Sequence, residues 1–467
     1  MEPIKAIRYD CSLLHARAAC CVVFLSILSV FVPIELQAGV TVTTVFTFDG
    51  TNGGDPNAPL VQAPDKTFYG TAEAGLNGAT VFNLSASGNL KTLSPFLGGF
   101  DLWGPFVLTG DGTIYATASF SPSTSGGIFR LLPSGTFEIL FSFNGTNGDS
   151  PSGLLMGPDG AFYGVTRRGG PGYTSSQSPG LGTIFRIDTN GLFSTILTFN
   201  ATNGSSPNRM ILGRDGVFYG TTHLGGASIT NFSYGYGTIF KLVPGGPLVT
   251  LHSFNNTDGA GPLEIIQAAD GDLYGTVQAG GATATSPFGG YGTVYRVTTN
   301  GVFTKLADCD STTQFPLSIV QATDGTLYGS AAGASAGTIF QVGSSGAPTV
   351  VYSFDSHGLP GSLVQMPGGS IYGTTRTGGI YSQGTIFRLD VAPGPPLLQI
   401  LSARTNQLAL SWNASPGGNY QVQACGDLLH QSWTNVGSPF MATNSTPSFS
   451  TLANPTQDCF YRVVLLP

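Results

Sequence analysis

The chain has 467 residues, of which 67 are glycine and 31 phenylalanine, while Asp, Glu, Lys and Arg together make up only 9%. So few charges exclude a helical bundle and an acidic disordered chain; with abundant Gly and aromatic residues they point to short strands joined by turns. The net charge of -7, without basic clusters, argues against nucleic acid and against an anionic membrane surface as partners.

Lys5, Arg8 and Arg17 precede an apolar run, Ala18 to Ile34, broken by Pro33, and Leu36-Gln37-Ala38 supplies small-residue cleavage chemistry before Gly39. Residues 1–38 therefore read as a secretory signal peptide, and the mature chain as secreted or held at the cell surface. No later stretch is long and apolar enough to span a bilayer. Cys11, Cys20 and Cys21 fall in or before the leader, which leaves Cys309, Cys425 and Cys459.

Val40 to Phe48 alternates apolar and hydroxylated residues, as a half-buried strand does. Then a phrase of the type Asp-Gly-x-aromatic-Tyr-Gly recurs seven times, from DKTFYG at Asp65 through DGVFYG at Asp215 to GGSIYG at Gly368. Its tyrosines, 69, 115, 163, 219, 274, 328 and 372, stand roughly 45 to 55 residues apart, the period of a four-stranded blade. A glycine-rich loop and a second phrase follow each copy, complete in GTIFRI from Gly182, GTIFKL from Gly237, GTVYRV from Gly292, GTIFQV from Gly337 and GTIFRL from Gly384. A third phrase, Thr-x-Leu-x-Ser-Phe or close to it, leads into the next copy.

Each unit reads as four strands. In the unit from Pro262 to Phe315 these are Leu263 to Ala268, Leu273 to Val277, Thr293 to Val297 and Phe303 to Ala307, with Asp270-Gly271 as the tight turn between the first two. In the third strand Val294 and Arg296 are expected to face away from Tyr295 and Val297. The last unit meets proline before supplying its own third phrase, whereas Val40 to Phe48 is a spare copy of that phrase. The expected fold over residues 40–391 is accordingly a seven-bladed β-propeller whose N-terminal strand completes the last blade and removes the open edges. The recurring tyrosines are expected to pack between neighbouring blades, and Cys309 takes the slot that holds Phe254 one unit earlier.

Prolines at 392–396 mark a linker. Residues 397–467 then carry short strand-like runs with Trp412 early among them, the pattern of a small β-sandwich of the fibronectin type III or immunoglobulin-like sort. In an oxidising compartment Cys425 and Cys459 are a disulfide candidate that would help so small a module.

The set DGxLYGTT, GG loop, GTIFRL and TLxSFxGTNG resembles the GloVer-type extracellular tandem-repeat family of bacterial exported proteins, over residues about 42 to 389. The resemblance implies an exported, surface or extracellular location and leaves the biochemical role open. The chain departs from the family pattern at its end, YRVVLLP, which has no hydrophobic span followed by a basic cluster.

In the expected ring, the loops joining second and third strands share one face with those entering the first. That mouth gathers Glu73, Trp103, Arg167, Arg168, His223, Gln278 and Arg376, polar groups and an aromatic suited to a glycan or a peptide. Gln62, Gln267, Gln321 and Gln365 recur in the first strand and either line the channel or bridge adjacent inner strands. Arg130, Arg186, Lys241, Arg296 and Arg388 recur in the third strand in a structural role. There is no GxSxG, no CxxC and no paired His/Cys spacing, so no catalytic constellation, cofactor or metal site is expected; Asp49, Asn52 and Asp55 lack the glutamate of a calcium loop. The chain is expected to be a monomer and a non-catalytic binding or scaffold module for polysaccharide or a cell-surface protein. A secreted lyase or glycosidase and a purely structural surface protein are the alternatives.

Overall fold

A computed structural model of the chain describes residues 7–9, 40–73, 78–85, 87–95, 100–101, 104–120, 125–174, 180–230, 235–343, 347–355, 358–367, 369–391, 398–404, 407–412, 414, 418–425, 432–442, 448–452 and 459–466. It is all-β, and it divides into two compact bodies, residues 42–390 and residues 391–467 together with 1–41. Among the described residues no helix is long and apolar enough to cross a membrane. Residues 10–39, which hold the expected leader core, lie outside the described residues.

In the first body each repeat folds as one antiparallel sheet with its strands in sequence order, the second adding Phe100–Asp101, which pairs with Ile114–Phe120 as Val107–Leu108 does. The unit read above has strands Ala260–Gln267, Leu273–Ala279, Thr293–Val297 and Phe303–Asp308. The turns form as their sequence requires: the Gly of each Asp-Gly takes positive φ, as at Gly216 (75°) and Gly271 (90°), and Lys66 is forced to 68° where the first unit lacks that glycine. The last sheet runs Pro360–Gln365, Ile371–Thr375, Thr385–Val391, and its fourth strand is Val40–Thr47, hydrogen-bonded to Thr385–Val391.

Two of the sequence phrases lock together across the ladder. Gly164 pairs with Phe185 and Gly220 with Phe240, and the phenylalanine ring lies over the glycine, so closely that a Cβ on Gly220 would stand 2.6 Å from Phe240 Cζ. The Gly of Tyr-Gly thus makes room for the Phe of Gly-Thr-Ile-Phe. The third strand is buried on both of its faces: Thr293, Val294, Tyr295 and Val297 are all buried and Arg296 is half-exposed, and Val294 packs into one core cluster while Tyr295 and Val297 pack into another. A sheet covered by neighbouring sheets on both faces has no solvent side.

The tyrosines pack where the sequence placed them. Tyr115 lies 4.4 Å from Phe162 of the following unit and Tyr163 lies 4.6 Å from Phe218. The last and first units repeat the contact, with Tyr372 and Phe68 also 4.6 Å apart. Their hydroxyls add something the sequence did not reveal: Tyr219 and Tyr274 donate to Asp215 and Asp270, at 2.7 and 2.8 Å, while the other carboxylate oxygen of each accepts the backbone N–H two residues on. One aspartate so holds both the turn and the core aromatic. Burial, then the aspartate, pushes both phenols up, Tyr274 to about 12.

Junctions between successive units are built from one set of parts. The amide of a left-handed residue before proline donates to the preceding unit: Ser206 to Leu181 O (2.9 Å), Gly261 to Tyr236 O (2.9 Å), Phe315 to Tyr291 O (3.1 Å). Asp55 donates in the same way to Gln383 O of the last unit, at 3.0 Å. Cys309 is buried in a Phe slot: its amide donates to Gly292 O as that of Phe254 does to Gly237 O, and burial pushes its thiol up to about 12.

The second body holds two antiparallel sheets. One is Leu398–Arg404, Gln407–Trp412 and Ser448–Leu452; the other is Ile7–Tyr9, Cys459–Leu466, Asn419–Cys425 and Thr434–Met441. Trp412 and Leu410 from the first meet Tyr420, Val422, Tyr461 and Val463 from the second in a shared core. The ladder sets Cys425 opposite Phe460, one residue out of step with Cys459, whose side chain lies outside the described residues.

Candidate ligand-binding site

Where the first strand of a unit enters its sheet, the ladder to the second strand slips. The shifts fall between Ser152 and Leu154, Pro207 and Met210, Pro262 and Ile265, Pro316 and Ser318, and Pro360 and Leu363. Such bulges re-aim side chains. Here they turn Ser152, Asn208, Arg209, Glu264 and Ser362 into a common cavity of about 300 Å³, whose wall also includes Asn57, Gln278 and Arg376.

Arg209 and Glu264 form its charged centre, Nη2 to Oε1 at 3.0 Å. Arg209 reaches on to Ser362 Oγ at 3.4 Å, and the other oxygen of Glu264 lies 3.3 Å from the amide of Ile319. Four units therefore converge on one ion pair. Glu264 is only 9% exposed, and a carboxylate so desolvated needs those partners. Asn208 closes the adjoining junction by donating to Pro262 O at 2.6 Å.

At the rim, Arg376 grips Asp55 with two bonds, Nε to Oδ1 at 2.7 Å and Nη2 to Oδ2 at 3.0 Å, which hold its guanidinium pKa above the ordinary value, with Glu73 adding to the effect. Glu73 sits beside this pair: its amide donates to Asp55 O, and Asn57 Nδ2 lies 3.5 Å from its carboxylate.

Arg167, His223, Gln278 and Arg376 are equivalent residues at the ends of second strands, and the carbonyl of each lies beside one glycine (Gly182, Gly237, Gly292 or Gly384) together with the proline that follows the left-handed residue of the next unit. For His223 that residue is Gly261, where a Cβ would meet the imidazole Cε1 at 2.7 Å. Burial first, and then the charge on Arg167, lower the His223 pKa to about 4. Its Nδ1 is buried and has no hydrogen-bond partner among the described residues. Burial, and then Arg168, likewise lower the pKa of Arg167, while Arg168 itself is exposed.

Of the expected mouth residues, Gln278 and Arg376 line the cavity, Glu73 flanks it, and Arg167 and His223 form a neighbouring pair; Trp103 lies outside the described residues. Gln267 and Gln321 sit at the turn end of the first strand and receive the amides of Arg214 and Ala269 in the preceding unit, at 2.8 and 2.7 Å. Gln62 and Gln365 occupy the equivalent, half-buried strand positions. The third-strand cations are tied down locally, Arg130 to Glu138, Arg186 to Asp159, Arg296 to Asp272 and Arg388 to Asp390. Arg209, Glu264 and Asn208 were missed by sequence reasoning. The available signal was a charged or amide residue one or two positions after the proline that opens the first strand.

The loops entering the first strand are occupied with themselves. Asn144, Asn200 and Asn255 each accept from a hydroxyl two residues on and from an amide three residues on. Asp49 does the same with Thr51 and Asn52, and those bonds lower its pKa. Among the described residues no group of three or more His, Cys, Asp or Glu side chains is placed to hold a metal ion.

A model of the Gloeobacter/Verrucomicrobia repeat matches residues 32–177, 103–336 and 229–407. No curated protein matches the sequence. Among solved structures, a streptogramin B lyase is similar with a TM-score of 0.53 and 15% identity, over 75% of this chain and 98% of that one. A catalytically inactive virginiamycin B lyase from Staphylococcus aureus, solved with quinupristin, is similar with a TM-score of 0.54 and 16% identity, over 75% and 99%. At such identities the likeness is one of fold, and that fold is β-propeller-like.

Proposed function

Because the chain belongs to the Gloeobacter/Verrucomicrobia repeat family, we propose that it is an exported, non-catalytic propeller that binds a polysaccharide or a cell-surface protein at its mouth. The observation that carries this is the cavity of about 300 Å³, to which the bulged strands of successive units contribute amides, hydroxyls and one ion pair. A pocket with a few convergent polar groups is what orients a small ligand or one segment of a polymer. The ring has seven blades and is closed by Val40–Thr47. Support comes from the last-to-first junction, which reuses the Tyr–Phe contact and the left-handed amide bond of the internal junctions. The leader pattern of residues 1–38 supports export, and residues 397–467 serve as a fibronectin type III-like spacer or attachment module.

A second reading, a carbohydrate-active enzyme, draws on Asp55 and Glu73, two acids beside one arginine at the rim. A glycan array and polysaccharide pull-down with the mature protein, read alongside release of reducing ends, separates the readings. Retention without release is the expected result. Release would replace the binding module with the enzyme, and neither would leave a structural role.

A further inference from the structure

We propose that Arg167 and His223 form a subsite for the anionic group of an acidic saccharide, a deepening that rests on the ligand-binding reading above. The argument is one of equivalence between units. At the last-to-first junction, Arg376 finds its carboxylate on Asp55, the left-handed residue (φ 52°) that precedes Pro56. The same place opposite Arg167 is held by Ser206, also left-handed (φ 52°) and before Pro207. Ser206 donates its amide to Leu181 O as Asp55 does to Gln383 O, so the two backbones match and only the carboxylate is missing.

Arg167 has consequently no ion pair or hydrogen bond from its guanidinium among the described residues, although it is largely removed from water. That environment and the neighbouring Arg168 lower its pKa. Arg130, Arg186, Arg209, Arg296, Arg376 and Arg388 each have a carboxylate. Beside the orphan cation stands a second unsatisfied group, the buried Nδ1 of His223. A half-buried cation and a buried ring nitrogen, neither with a partner among the described residues, each carry a desolvation cost that one arriving carboxylate offsets, by ion pairing to the first and by stabilising the protonated form of the second. The groups facing His223 are Arg167 by charge, the ring of Phe288 at 5.9 Å and the backbone at Gly261. None of these is an acid, and among the described residues no carboxylate contributes to the charge around His223.

The test follows the His223 ring by NMR in the full-length protein during titration with sodium glucuronate, with glucose and sodium chloride of matched ionic strength as controls. Glucuronate is expected to raise the His223 pKa by at least one unit, and glucose and chloride to leave it in place. Ser206→Asp installs the missing carboxylate on a backbone that tolerates Asp at position 55; it should raise the melting temperature and reduce the glucuronate response at least tenfold. Arg167→Gln should abolish the response without the stabilisation. The inference is overturned if glucuronate shifts His223 no more than chloride does, or if the response survives both substitutions. Its failure is distinguishable from that of the binding reading: neutral glycans retained without a glucuronate response sink the subsite alone, whereas a glucuronate response with no glycan or protein retained sinks the binding module alone.

Discussion

Arg376 and Asp55, 321 positions apart in sequence, are joined by two parallel hydrogen bonds of 2.7 and 3.0 Å. The pair ties the last unit to the first at the rim of the cavity, and Val40–Thr47 joins the last sheet at its other edge. Both side chains are about one-third exposed, which tempers the contribution of the pair. A double-mutant cycle with Asp55→Asn and Arg376→Gln in urea should give a coupling of about 0.5–1.5 kcal/mol. A coupling within error of zero would show that the junction is held by its strand and aromatic contacts alone.

Removing Arg209 should be far more costly. Arg209→Met leaves Glu264 desolvated and opposed only by the Ile319 amide, at a cost of about 3–5 kcal/mol. Combining it with Glu264→Gln should recover most of that loss, because no buried charge remains. Chemical denaturation of the three variants checks this, and retention of ligand by the double variant reports whether the ion pair itself recognises anything.

Gly220 beneath Phe240 predicts a steric response. Gly220→Val should destabilise by about 1–3 kcal/mol through overpacking, and Gly220→Ala by less, since the second unit carries Ala116 opposite Phe129. Equal losses for the two substitutions would assign the effect to backbone conformation instead.

Lys66 supplies the opposite case. It is exposed and held at φ 68°, where the other units place glycine, so Lys66→Gly should stabilise by about 1 kcal/mol and raise the melting temperature. A lower melting temperature would mean that the lysine side chain contributes more than its strained backbone costs.

Acid sensitivity should trace to His223. Its folded pKa of about 4 lies below the unfolded value near 6.5, so between those pH values the unfolded chain binds a proton that the folded chain does not. Its contribution, at most about 3 kcal/mol, is therefore complete above pH 6.5 and is lost as pH falls through the window towards 4. In His223→Gln the stability should be flatter across pH 4 to 6.5. An unchanged acid limb would place the sensitivity in the carboxylates.

Strand positions, turns and the packing role of the tyrosines were legible because each rests on a few neighbouring residues. Asp270-Gly271 makes its turn wherever the chain goes, and the strands of the Pro262 to Phe315 unit lie within a few residues of where the period placed them. The mouth was legible only in outline. Gln278 and Arg376 follow from their place after Tyr-Gly, whereas Arg209 and Glu264 looked like any two polar residues in a strand, because what makes them a pair is a bulge in each of two separate units.

The sequence by itself determined the repeat, its four-strand unit and the spare N-terminal strand, since strand period and turn chemistry are local properties of the chain. Only the tertiary structure decided which of several equivalent residues matter. Arg376 meets Asp55, while Ser206 holds the equivalent place in the unit after Arg167, which has no carboxylate partner among the described residues; the difference between a paired cation and an unpaired one depends on a residue from the next unit, brought alongside by packing and not by nearness along the chain.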